Sequence, residues 1–278
     1  MIAAELMTPS PVHVRPDQTL PDCAHLLLRH NIRHLPVIDD DQRLLGVIHD
    51  HAIFEHGDVA VLGAGFKAKG TKWVAFDMRR AQLTARDVAA APVMLYERAQ
   101  VREAIDLLVS SMNDVLLIFD PYGQTVGIIT EHDGLRLAQG LLPATHSAMT
   151  LSGAAPLTID RDQPVREALQ QMLQSGHRHI LVTERTQLYG VLSYRDLISQ
   201  GAHTTNGDLL AGAAVRVTPP YTATPAMSLR EAAQLMVARR IGCLPMINYC
   251  NAPVGIVTRT DLLRALRDAL LGAETEPV

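Results

Sequence analysis

The sequence predicts an α+β fold made of four copies of one small unit, each running strand, helix, strand, turn, strand, helix. Two observations predict it. A closing motif recurs as GIITEHD at Gly127–Asp133, GVLSYRD at Gly190–Asp196 and GIVTRTD at Gly255–Asp261, with a divergent version, GVIHDHA, at Gly46–Ala52. An alanine inside an amphipathic run (Ala24, Ala104, Ala168, Ala232) precedes each motif glycine by 22 or 23 residues. Four spacings that agree within one residue mark an internal repeat, and a repeat decides the architecture before any local pattern does.

Each element then follows. The first strand of each copy is placed at Val12–Val14, Val93–Leu95, Leu157–Ile159 and Val215–Val217, where short β-prone runs begin the units. The helix comes next, with apolar residues at i, i+3 and i+4. The middle strand is the apolar segment HLPVID from His34, VLLIFD from Val115, HILVTE from His179 and CLPMIN from Cys243. Polar turns such as DDDQRL, DPYGQT and NYCNAP close a hairpin onto the motif strand. The last helix opens after the Thr or Ser of the motif. A unit of roughly 60 residues buries too little surface alone, so the copies are expected to pair through their sheets.

These motifs resemble those of cystathionine β-synthase (CBS) domains, which pair into Bateman modules. The resemblance covers nearly the whole chain in four copies, 1–58, 84–140, 143–202 and 207–272. It implies two modules, 1–141 and 142–278, forming a pseudo-symmetric disc, with an insertion at 59–83. Four copies in one chain are similar to the adenylate-sensing γ subunit of AMP-activated protein kinase and to prokaryotic stand-alone proteins of four CBS repeats. The resemblance implies a non-enzymatic regulatory sensor that binds AMP, ADP or ATP, with S-adenosylmethionine as another adenosine ligand. It would transmit occupancy to a regulated protein partner, and homodimerisation stays open. The competing reading is a ligand-free interaction module for an enzyme or transporter.

The Thr/Ser-x-x-Asp element of the motif has two chemical uses. Locally it is a capping box: Thr130, Ser193 or Thr258 accepts from first-turn N–H groups, and Asp133, Asp196 or Asp261 sits at the positive end of the helix dipole. The same helix start attracts anions. In adenosine-binding CBS domains the resemblance assigns the Asp to ribose hydroxyls and the Thr or Ser to phosphate. The first copy departs from the pattern, with His49 and Ala52 in those positions, so at most three such sites are expected.

Ahead of the middle strand, Arg33-His34 and Arg178-His179 stand in copies one and three, where copies two and four have Asp114-Val115 and Gly242-Cys243. In the kinase γ subunit a His-Arg pair here meets phosphate; the order in this chain is Arg-His. Arginine supplies a planar fork for phosphate oxygens and histidine a further donor, whereas the plain alternative is a solvated strand edge. The insertion holds every lysine of the chain (Lys67, Lys69, Lys72) and its one tryptophan, Trp73, beside Phe66 and Phe76. It reads as a surface linker pinned by Trp73, with stacking on a base as the competing use.

Composition narrows the rest. The chain has 278 residues, 47% hydrophobic and 19% charged, enough apolar surface to fold and no run suited to a membrane span. A net charge of −4 argues against general nucleic-acid binding. The N-terminus lacks the basic and apolar regions of a secretory signal, and three scattered cysteines (Cys23, Cys243, Cys250) make no disulfide framework, so a cytoplasmic location is expected. His49, His51 and His56 lie close together but match no structural zinc spacing, and no nucleophile motif appears, so neither a metal nor a catalytic set is expected.

Overall fold

A computed structural model describes residues 1–56, 83–110, 114–151, 155–200 and 207–272. Phe66, Lys67, Lys69, Lys72, Trp73 and Phe76 of the insertion lie outside these residues. The first copy comprises α1 (Ala3–Leu6), β1 (Thr8–Pro9), α2 (Leu20–His30), β2 (His34–Ile38), β3 (Leu44–His49) and α3 (Asp50–His56). The second comprises α4 (Ala85–Val88), β4 (Met94–Tyr96), α5 (Val101–Ser110), β5 (Val115–Phe119), β6 (Thr125–Thr130) and α6 (Glu131–Leu141). The third holds β7 (Thr158–Asp160), α7 (Val165–Ser175), β8 (His179–Glu184), β9 (Gln187–Ser193) and α8 (Tyr194–Ser199). The fourth holds α9 (Ala211–Ala214), α10 (Leu229–Arg239), β10 (Cys243–Ile247), β11 (Pro253–Thr258) and α11 (Arg259–Gly272). Among the described residues no helix is long and apolar enough to cross a membrane.

The repeat is written into the packing. Each long helix buries i, i+3, i+4 and i+7: Leu20, Cys23, Ala24 and Leu27 in α2, then Val101, Ala104, Ile105 and Leu108 in α5. The same spacing gives Val165, Ala168, Leu169 and Met172 in α7, and Leu229, Ala232, Ala233 and Met236 in α10. The alanine that recurs in the sequence is thus the small residue that lets each helix approach its sheet. The middle strands are buried continuously, β2 and β5 along their whole length, as expected for a strand covered on both faces. In three hairpins an Asx side chain builds the turn. Asp39 Oδ1 accepts from the backbone N–H of Asp41 and Arg43, Asp120 Oδ1 from Tyr122 and Gln124, and Asn248 Oδ1 from Cys250 and Ala252.

The chain divides into two compact units, Met1–Thr130 and Glu131–Val278. In the first unit, β1-β6-β5-β4 form one sheet and β2-β3 another. Val47 of β3 joins Val115, Leu117, Phe119 and Ile128 in a common core, so the two copies meet through their sheets. They also exchange their leading segments. Ala3 N donates to Ala99 O at 2.8 Å and β1 pairs with β6, while Ala90 bridges Val47 of the first copy. The second unit holds the sheets β7-β8-β9 and β10-β11 and repeats the exchange. Ala148 N donates to Met227 O at 2.7 Å, and Ala211 N to Gln163 O at 2.8 Å.

The exchange explains the motif glycine. A β-carbon on Gly46 would meet Ala90 O and Ala89 Cβ, each at 2.8 Å; one on Gly127 would strike Met7, and one on Gly190 would strike Val215. In each case the obstacle is the segment lent by the paired copy. All four hairpins bulge where this glycine faces the middle strand, after Val37, Ile118, Val182 and Met246.

One expectation is corrected. The first strand of the fourth copy is not Val215–Val217, because Val215 is used against Gly190 and Val217 is 55% exposed. The strand position falls at Ala223, which bridges Met246 in parallel as Val14 bridges Val37. Alternation at Val215–Val217 imitated a strand, whereas Ala223 between two threonines carries no apolar pattern.

Candidate functional site

Two of the Thr/Ser-x-x-Asp elements fold as capping boxes. At α8, Ser193 N and Oγ donate to Asp196 Oδ2 at 3.0 and 2.5 Å, and Asp196 N donates back to Ser193 Oγ at 3.1 Å. At α11, Thr258 N and Oγ1 donate to Asp261 Oδ2 at 2.9 and 2.6 Å. Each carboxylate spends one oxygen on the cap and presents the other to an arginine. Arg216 Nε lies 4.0 Å from Asp196 Oδ1 and Arg264 Nη1 lies 3.5 Å from Asp261 Oδ1. Asp133, in the first turn of α6, differs in being buried at 4% exposure, with Arg136 Nη1 3.6 Å from its Oδ1. Thr130 ends β6 three residues before it.

Asp261 opens onto a cavity of about 560 Å³. One face of α11 supplies Asp261 and Arg264, with Arg267 at the edge, and the segment before the third copy supplies His146 and Leu151; Leu229 of α10 closes the wall. The volume suits a small ligand, which typically occupies some 300–1,000 Å³. The apolar wall and the basic groups stand on opposite chemical terms, fit for a flat ring and for anionic oxygens. Arg267 is held to Asp268 at 3.0 Å, a partly exposed pair of little worth that a phosphate can outcompete.

The Arg-His positions part company. Arg178 is exposed, and Arg33 is half-buried, their carbonyls accepting from Tyr194 N and Asp50 N. His179 lies against Gly242, where a β-carbon would come within 2.8 Å of Nε2. His34 is not a solvated strand-edge group: it is 7% exposed, and its Nε2 donates to Asp114 Oδ1 at 2.9 Å. A phosphate reaches this imidazole only by displacing Asp114.

Sequence reasoning missed a second polar cluster, at the start of α6 and α11. Arg259 Nη1 lies 3.9 Å from Glu131 Oε2, with both side chains nearly buried, and Thr260 Oγ1 donates to Glu131 Oε1 at 3.4 Å. Burial and the Arg259 charge push the His132 pKa down, so this imidazole stays neutral further into acid than an exposed one. The signal was in the residue after His49, Thr130, Ser193 and Thr258, which changes from Asp50 and Glu131 to Tyr194 and Arg259. Burial likewise raises the Cys23 and Cys243 thiols to about 12, whereas Cys250 is exposed on a turn. A thiol reagent is therefore expected to label Cys250 in the native chain and to reach Cys23 and Cys243 only after denaturation, as mapped by peptide mass spectrometry.

The CBS domain model matches residues 3–57, 85–140, 152–202 and 213–268. The chain belongs to the CBS domain family. Its four CBS repeats are similar along their length to protein MJ1225 of Methanocaldococcus jannaschii, 22% identical over 91% of this chain and 94% of that one. The crystal structure of MJ1225 superposes with a TM-score of 0.77, at 17% identity, over 96% of this chain and all of the other. A conserved protein from Pyrococcus horikoshii has the same fold, with a TM-score of 0.63 at 20% identity, covering 96% of this chain and 100% of its own. The chloroplastic CBS domain protein CBSX1 of Arabidopsis thaliana is 25% identical over 45% of this chain. The chain spans 58% of CBSX1, and 20% of its relative CBSX2.

Proposed function

We propose that the four CBS repeats form a non-catalytic regulatory sensor for adenine nucleotides, with 1–141 and 142–278 as its two modules. The cavity at Asp261 carries the reading. Asp261 has a carboxylate oxygen beyond its cap for ribose hydroxyls, Leu151 and Leu229 offer an apolar seat for the base, and Arg264, Arg267 and His146 face the phosphates. Thr258 holds the carboxylate in place. Ser193 with Asp196, and Thr130 with Asp133, are the further adenosine positions, and Arg33, Arg178 and His179 are further phosphate-binding residues. AMP, ADP and ATP are the ligands, S-adenosylmethionine a weaker one. Occupancy shifts the population between two arrangements of a partner-facing surface, with coupling on the usual scale of about 1–3 kcal/mol. The regulated partner is a cytoplasmic protein.

The test is thermal unfolding of the full chain with each nucleotide. Ligand at about a hundred times its dissociation constant adds roughly 2.7 kcal/mol to stability. Asp261→Ala is expected to remove the gain from this cavity, and Ala at 133, 196 and 261 together to abolish it. Losing the cap alone costs about 1 kcal/mol, so each variant is compared with its own ligand-free baseline. A gain unchanged in the triple variant, or no gain in the parent, overturns the proposal.

A further inference from the structure

The geometry points to a transition-metal site of the zinc type in the first compact unit, formed by His34, His49 and Asp114. His34 opens β2 and His49 closes β3, and antiparallel pairing sets them directly opposite one another. Their rings meet edge to face, centroids 5.1 Å apart. Asp114 arrives from the second copy, immediately ahead of β5. Its Oδ1 lies 2.9 Å from His34 Nε2 and 3.3 Å from His49 Nδ1. One ligand atom from each residue falls within 4.8 Å of the others.

Burial makes the arrangement more than a hydrogen-bonded pair. His34 is 7% and His49 8% exposed, yet the 3.3 Å approach of Asp114 Oδ1 makes no hydrogen bond to His49 Nδ1, which is left unsatisfied. Leaving a buried polar atom unsatisfied is unfavourable, and such atoms are rare enough to require a reason. A divalent cation supplies one, since it accepts both imidazole lone pairs and the carboxylate together. Two nitrogens and one carboxylate oxygen suit zinc and its neighbours, whereas calcium and magnesium prefer all-oxygen shells. Three protein ligands leave a fourth position for water or an anion.

Among the described residues the other copies lack the set. The residues paired as His34 is with His49 are Val115 with Thr130, His179 with Ser193, and Cys243 with Thr258. Where Asp114 faces His34, Gly242 faces His179. The site therefore belongs to the divergent first motif, whose His49 replaces the Thr or Ser of the others. Because its ligands come from two copies, bound metal ties the first pair of repeats together, independently of any nucleotide. Of the close histidines in the sequence, His49 belongs to this set.

The test is Zn²⁺ titration of chelator-stripped full-length chain against a chromophoric chelator, with Co²⁺ absorption reporting the coordination. One Zn²⁺ per chain is expected, with affinity at least about tenfold lower in Asp114→Asn and in His49→Gln. His13→Gln, at an exposed histidine, should bind as the parent does. No binding by the parent, or equal affinity in the Asp114 and His49 variants, overturns the site. If neither variant folds, the parent decides by NMR: Zn²⁺ must shift two buried imidazoles together at one equivalent, and unmoved imidazole resonances overturn the site.

Discussion

Arg259→Met is expected to cost the second compact unit about 3 kcal/mol, the scale for removing one partner of a buried ion pair. Arg259 and Glu131 are 12% and 13% exposed at the side chain, so neither charge has water in reserve. Arg259 Nε also donates to Ile241 O at 3.3 Å, an acceptor that methionine leaves unserved. The loss is mainly that of a stranded carboxylate, so the double variant Glu131→Met with Arg259→Met should recover most of it. Chemical denaturation measures both. A second readout is independent of global stability: without the Arg259 charge, the depressed His132 pKa should rise toward its ordinary value, as NMR titration would report. Equal stability of Arg259→Met and the parent, with His132 unmoved, would show that the pair is solvated.

What the sequence could disclose followed from the range of each interaction. Ser193 with Asp196 and Thr258 with Asp261 are three residues apart, so the capping boxes were legible from spacing alone. The four helices were legible because Ala24, Ala104, Ala168 and Ala232 fill the same buried position on the same apolar face. The metal-type cluster was not, because Asp114 lies 80 residues from His34 and meets it only once two copies are paired. The role of the motif glycine was hidden for the same reason: its obstacle is Ala90, Met7 or Val215, each lent by the paired copy. The cavity at Asp261 was half legible. Its carboxylate belongs to the motif, but His146 and Leu151 come from the connection between repeats, where no periodicity marks them.

The repeat also makes a sharp energetic prediction. Leu35, Leu116, Ile180 and Leu244 are the second residues of the four middle strands, and each is 0% exposed. Cutting Leu116 or Leu244 to Ala should cost about 2–5 kcal/mol, the transfer free energy of the lost groups plus a residual cavity. The compact units confine these costs differently, because Leu116 belongs to Met1–Thr130 and Leu244 to Glu131–Val278. Hydrogen exchange on Leu116→Ala should lose protection in β2, β3, β5 and β6 and keep it in β8 and β9, with the reverse for Leu244→Ala. If either substitution instead lowers protection equally throughout the chain, the two units unfold as one cooperative body and the repeat pairs are not separate folding units. The contrast has a functional reading as well. If the pairs fold separately, the proposed zinc site at His34, His49 and Asp114 and the proposed nucleotide site at Asp261 predict that Zn²⁺ raises protection in the first unit and nucleotide in the second.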